Sequence, residues 1–525
     1  MTLNDVSYDN LGLIGDRVAR ALSALDSDRV VERLFAHDYK LWSDDPTEIT
    51  EPNRLGWLHV HREMHGATAG LRDFAESVAA EGYTTAVLMG MGGSSLAPEV
   101  FQESFGTAQG MLTLHVLDTT HPDAILELAD RIDLQRTLFI VSSKSGSTIE
   151  TMSQFAFFWE LIPDGAHFIA VTDEGSGLHK LGEEHGFRRV FLNNPNIGGR
   201  YSALSYFGLV PAALVGVDLE ELLAHATAMA EACSDTNSAD NPGAYLGAVM
   251  AEAALAGRDK LTLFLPTEIA SFGDWVEQLI AESTGKFGKG IVPIVGEPMA
   301  PPQGYGIDRL FVAIGDHPGL QDLEADGHPV VRLPYEGKAQ IGAEFFRWEF
   351  ATAIAGQRLG FNPFDQPNVQ SAKDATARIL ESGTMDAEAT PSLADILATL
   401  KPGDYVAVLA YLPRDFVRQR ELQALRLDIR DRFTVATSLG FGPRYLHSTG
   451  QLHKGGPNSG VFILLTDDAA RDADVPGKLL SLARLCRAQA VGDLQSLQSM
   501  GRRVCHIHLN GENVSAIQAL RKGTK

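Results

Sequence analysis

The 525-residue chain has few cysteines: Cys233, Cys486 and Cys505, widely spaced. They give no disulfide framework and no CxxC pair, a usage that suits a reducing compartment. No apolar run reaches the roughly 18 residues of a membrane-spanning helix. The opening stretch, MTLNDVSYDN, lacks the basic and apolar regions of a secretory signal, so a cytoplasmic protein without membrane partners is expected. Positive charge is scarce as well: 44 Lys and Arg stand against 67 Asp and Glu, a formal net charge of -23. That balance excludes a broad nucleic-acid face but leaves room for a small anion in a local pocket. Low-complexity tracts and fixed short repeats are lacking.

Metal signals are thin. His61 and His65 in H-V-H-R-E-M-H stand one helical turn apart, but the motif is not H-E-x-x-H and no third ligand is evident. It reads as a helical surface. Cys505-His506-Ile507-His508 reads as a strand with both imidazoles on one face and the thiol on the other. Neither is assigned a metal.

Strand and helix alternate through most of the chain. Residues up to about Glu81 read mainly as helix. Apolar runs near 85–91, 112–117, 138–141, 168–171 and 190–192 are each separated by a helical pattern, which predicts a parallel sheet covered on both faces. A helical block over 202–255 precedes a second α/β series from Leu261, ending in a long helix from Ile341 to about Leu359. A polar stretch, Ser382 to Pro391, is the best linker. Further strands near 405–411, 434–438, 461–465 and 504–509 make a smaller third region. The expected fold class is α/β: two doubly wound parallel-sheet domains, with an N-terminal helical segment and a smaller C-terminal α/β region. The boundaries are 1–80, 81–257, 258–385 and 392–525. A (β/α)8 barrel competes, but the central helical block and uneven strand spacing argue against it.

The densest chemistry lies at Val141 to Thr151, V-S-S-K-S-G-S-T-I-E-T, where a strand gives way to a helix. Hydroxyls and unpaired N–H groups at a helix N-terminus favour an anion, here a phosphate. An ordinary helix cap needs only one such residue. Gly90 to Pro98, G-M-G-G-S-S-L-A-P, follows the first strand, and glycines there let backbone approach a ligand closely. Gly198 to Ser202 reads G-G-R-Y-S, Glu282 to Lys286 reads E-S-T-G-K, and Phe364-Asp365-Gln366 is followed by Lys373.

In this order and combination, over roughly Thr84 to Leu380, these motifs resemble the glucose-6-phosphate isomerase family. The G-G-R-[FY]-S signature is met outright, and the family's E-S-N-G-K is met with Thr284 in place of Asn. The resemblance implies two sugar-isomerase domains, a sugar phosphate substrate and no cofactor. It leaves assembly into a homo-oligomer open. One departure stands out: Gly296 to Tyr305 lacks the ring-opening His that the family carries after its G-E-P. His447 and His453, in the loop L-H-S-T-G-Q-L-H-K-G-G, are candidates to replace it. The C-terminal extension looks like the isomerase part of bifunctional transaldolase–phosphoglucose isomerase proteins.

Aldose–ketose isomerisation moves a proton between C2 and C1 through an enediolate, which one carboxylate can do. Glu282 is the candidate base, Arg200 the stabiliser of the enediolate oxygen, and Lys373 the contact to ring oxygen or hydroxyls. Gly93, Ser94, Ser143, Lys144, Ser145, Thr148 and Gln366 are the substrate-binding candidates, with no metal. The expected reaction interconverts glucose 6-phosphate and fructose 6-phosphate, with use of mannose 6-phosphate left open. A non-catalytic sugar-phosphate sensor is the alternative; it needs the hydroxyl loop but not the base.

Overall fold

A computed structural model of the chain describes residues 7–43, 54–383 and 388–523. The linker expected at Ser382 to Pro391 falls partly outside these residues. Three separate sheets form, so the barrel is excluded and the α/β expectation holds. The first contains β2 (Thr85–Met89), β3 (Thr113–Leu117), β4 (Thr137–Ser142), β5 (Phe168–Asp173) and β6 (Arg189–Asn193), in the order β3-β2-β4-β5-β6 and all parallel. The central strand β4 is buried at every position, as expected where helices cover both faces.

The second sheet uses β7 (Lys260–Phe264), β8 (Val292–Ile294), β9 (Arg309–Ile314) and β10 (Val330–Leu333), plus β1 (Ser7–Asn10) on its edge, in the order β1-β10-β9-β7-β8. β1 runs antiparallel to β10 and is a strand inside the stretch up to about Glu81 that reads mainly as helix. A short polar segment carries no helical or strand period. The open edge of β10 offers it main-chain donors and acceptors, and these decide its conformation. The third sheet, order β12-β11-β13-β14, is again parallel. It consists of β11 (Tyr405–Tyr411), β12 (Ala436–Phe441), β13 (Gly460–Asp467) and β14 (Arg503–Leu509).

Between the first two sheets runs the helix Ile341–Leu359, whose bounds match its apolar pattern. It is buried on nearly all sides and joins a core holding Trp57, Phe101, Trp275 and Phe345. This core also corrects the reading of the first histidine motif. His61 is 1% exposed, its ring edge-on to Phe346, and burial pushes its pKa down to about 4, so it is a neutral core residue and not part of a helical surface. Among the described residues no group of His, Cys, Asp or Glu could hold a metal ion, and no helix is long and apolar enough to cross a membrane.

Candidate active site

All ten site residues expected from the sequence line one cavity of about 520 Å³, and His447 lines it with them. Each arrives by a local feature of its own segment. The hydroxyl loop spans the end of β4 and the start of the helix Ile149–Leu161. Ser143 is buried; its hydroxyl accepts from Gly146 N at 3.1 Å and lies 3.2 Å from Thr148 Oγ1. Gly146 sits at φ +67, and a Cβ there would overlap the backbone of Leu178, so only glycine closes this turn. Ser145 is exposed, 2.8 Å from Ser147 Oγ. Lys144 is less free than expected: its ammonium pairs with Asp173 and donates to Pro195 O at 2.8 Å.

The glycines after β2 have a packing reason as well. A Cβ on Gly93 would stand inside the carbonyl of Gly199, in the turn that carries Arg200. Gly92 is at φ +55, and a Cβ there would lie 2.7 Å from both Gln278 Nε2 and His447 O. The G-M-G-G run therefore lets three site segments meet, with Ser94 at its end also facing the cavity.

Arg200 is buried in a 3-10 turn, with every side-chain nitrogen engaged. Nε donates to Ser283 Oγ at 2.8 Å, and Nη2 donates to the carbonyls of Pro363 (2.7 Å) and Asp365 (2.8 Å). Nη1 lies 3.3 Å from both Glu282 Oε2 and Gln366 Oε1. Glu282, in the helix Phe272–Thr284, is 6% exposed. Burial raises its pKa, with the Arg200 charge opposing that rise. Lys286 pairs with Asp365 and donates to Asn362 O at 2.5 Å, pinning the F-D-Q turn. Burial lowers its pKa to about 7 against the opposing pull of Asp365. Lys373 is exposed at the cavity mouth on the helix Val369–Ser382.

The two candidate histidines separate clearly. His453 is 3% exposed, packed against Phe462 at 5.0 Å between ring centroids, and burial pushes its pKa well down. His447 reaches the cavity, and its Nε2 donates to Glu150 Oε1 at 2.9 Å. Burial alone would raise the Glu150 pKa, but His447 beside it holds it below the ordinary value. His447 is fixed in place from the same 3-10 turn by Arg444. Arg444 meets Glu99 (2.5 Å), Asp118 (2.6 Å) and Asp274 (3.0 Å), carboxylates borne by the first two sheet regions.

Sequence reasoning missed Glu150, Gln278, Arg54 and Asp173. Gln278 carried a signal: it lies one helical turn before Glu282, hence on the same face. Its Nε2 donates to His447 O at 2.7 Å and lies 3.5 Å from Glu282 Oε2, so one amide spans the carboxylate and the imidazole segment.

Comparison with known proteins adds to this geometry. The family model described as Phosphoglucose isomerase matches residues 57–291. Glucose-6-phosphate isomerase of Rubrobacter xylanophilus is 28% identical over 71% of this chain and 97% of its own. The enzyme of the same name from a Cyanothece strain is 32% identical over 60% of this chain and 68% of its own. Among solved structures, a hypothetical protein of Thermus thermophilus aligns with TM-score 0.60 at 24% identity, over 71% of this chain and 99% of that one. A glucose-6-phosphate isomerase of Chlamydia trachomatis aligns with TM-score 0.60 at 21% identity, over 72% and 88%, and both show the shared fold. Taken with the motifs, these relatives establish that the chain belongs to the glucose-6-phosphate isomerase family.

Proposed function

We propose that this chain is an aldose–ketose isomerase that interconverts glucose 6-phosphate and fructose 6-phosphate through an enediolate. The observation that carries this reading is a buried carboxylate against a fully engaged guanidinium, in the same cavity as a hydroxyl-lined helix start. Glu282 takes the proton from C2 and returns it to C1. Arg200, already ordered by its other bonds, stabilises the developing negative oxygen without reorganising. Ser143, Ser145 and Thr148, with Gly93 and Ser94, hold the phosphate and so fix the reacting carbons over Glu282. Lys144 sets the loop through Asp173, while Gln366 and Lys373 meet the sugar. A non-catalytic sensor would gain nothing from desolvating a carboxylate beside an arginine. In this reading the chain divides into an N-terminal segment 1–80 and regions 81–257, 258–385 and 392–525. A coupled assay that detects glucose 6-phosphate formed from fructose 6-phosphate tests the activity, and absence of turnover would refute it.

Ring opening needs a proton delivered to the ring oxygen, a task for an imidazole near neutral pH. His447 takes that task, with Glu150 orienting the ring as a second carboxylate. His447→Ala is expected to slow turnover of cyclic substrate by about 10²-fold, the low end for loss of an acid–base group, and to spare substrate supplied in open-chain form. His453→Ala should leave turnover intact and lower thermal stability, since it empties space in an aromatic core. Equal losses with both forms of substrate would remove His447 from ring opening.

The hydroxyl loop governs affinity. Ser145→Ala combined with Thr148→Ala is expected to raise KM for fructose 6-phosphate several-fold with little change in kcat. A fall confined to kcat would mean that the loop acts on the chemistry and not on anchoring.

A further inference from the structure

A second cavity, larger than that of the candidate active site, lies elsewhere. It measures about 660 Å³ and opens at the carboxyl ends of β11, β13 and β14, where the third sheet changes direction between β11 and β13. Crevices at such a switch point are where open parallel sheets take ligands. Its floor is apolar: Leu464 from β13, with Cys486, Ala490 and Leu494 from the helix Leu482–Ser499. Its wall holds His506 and His508, the imidazoles of the strand motif that found no use above. The Thr466 hydroxyl stands between them, 2.8 Å from His506 Nε2 and 3.1 Å from His508 Nδ1, so both rings are preset. Asp468 lies 3.3 Å from His508 Nε2 and 3.9 Å from Arg487.

This lining disfavours a phosphate. Three aspartates, Asp467, Asp468 and Asp472, outnumber Arg484 and Arg487, and no glycine turn follows β13. Paired carboxylate, imidazole and guanidinium groups over an apolar floor suit vicinal hydroxyls on a body with one apolar face. A hydrogen-bonded path leads from the cavity to the active site. His121 lines the cavity, and its neighbour Thr120 donates to Gln489 Oε1 at 2.7 Å. Gln489 Nε2 donates to Glu150 Oε1 at 2.7 Å, the same oxygen that accepts from His447. All three relay side chains are buried.

We infer that this cavity is a second binding site, for an uncharged, hydroxyl-bearing small molecule such as a nucleoside or a free hexose, coupled to the isomerase site through Gln489 and Glu150. The coupling rests on the role given to His447; the site does not.

The test is calorimetric titration of the full chain with adenosine and, separately, glucose, each with excess fructose 6-phosphate occupying the isomerase site. One probe is expected to bind at one site per chain. Affinity should fall at least tenfold in His506→Ala/His508→Ala, and in Arg487→Ala, whose side chain is 64% exposed and safe to shorten. Isomerase turnover without the probe should be unchanged in these variants. Binding by neither probe, or binding untouched in both variants, overturns the site. For the coupling, fructose 6-phosphate should shift the probe's affinity at least about fivefold in the wild type, and Gln489→Leu should abolish that shift while both ligands still bind. A shift that persists in Gln489→Leu, or none in the wild type, overturns the coupling. Retained activity in His447→Ala refutes the role of His447 and leaves the probe-binding result to stand on its own.

Discussion

Glu282→Gln is expected to lower kcat by about 10²–10⁴, the usual effect of losing a general base, and to abolish exchange of the C2 proton with solvent. KM should move little. The amide has the size of the carboxylate and accepts from Arg200 through its oxygen, so the cavity keeps its shape. The position carries information beyond the motif, because the carboxylate is buried against Arg200 Nη1 at 3.3 Å. A group removed from water this way is a stronger base than an exposed one, since burial lifts its pKa. The wild-type rate should therefore fall on acidification at a pH above the ordinary Glu range. Turnover near wild type in Glu282→Gln would exclude the residue from proton transfer.

Arg200→Lys should cost about 10²–10³ in kcat, the range for losing one preorganised group that stabilises a developing oxyanion, even though a positive charge is kept. An ammonium has no planar fork and cannot serve Ser283, Glu282, Gln366 and two carbonyls together. The F-D-Q turn would lose its tether along with the charge-stabilising group. Arg200→Met should lose more, with a diagnostic signature. The arginine charge opposes the rise in the Glu282 pKa, so its removal raises that pKa further. The acidic limb of kcat/KM should then move to higher pH. A profile unmoved in Arg200→Met would mean that the two groups do not interact in the working enzyme.

Much of this was legible in the chain. The helix Ile341–Leu359 and the strands of all three sheets except β1 follow from apolar runs bounded by turn residues, and local physics sets them. The motifs carrying Arg200, Glu282 and the hydroxyl loop could be read for the same reason: each is a short segment whose chemistry shows in its own residues. What could not be read depends on contacts distant in sequence. β1 is a strand only because β10 leaves an edge open. His61 is buried because Phe346 lies across it. His447 could not be told from His453 by local pattern, since both lie near glycines in one loop. The difference is made by Arg444 meeting Glu99, Asp118 and Asp274, none of which lies within 150 residues of it.

That arginine also sets an order of events. Its carboxylate partners belong to the parts of the chain that leave the ribosome first, and Arg444 and His447 emerge long after them. A nascent chain stopped short of residue 414 can already hold the hydroxyl loop, Arg200 and Glu282, yet Glu99, Asp118 and Asp274 would face one another without their two cations, Arg414 and Arg444. Like charges gathered in that way repel. The docking of the third sheet thus relieves an electrostatic fault in the first two at the same moment that it delivers the imidazole, so completion of the site and completion of the molecule become a single event.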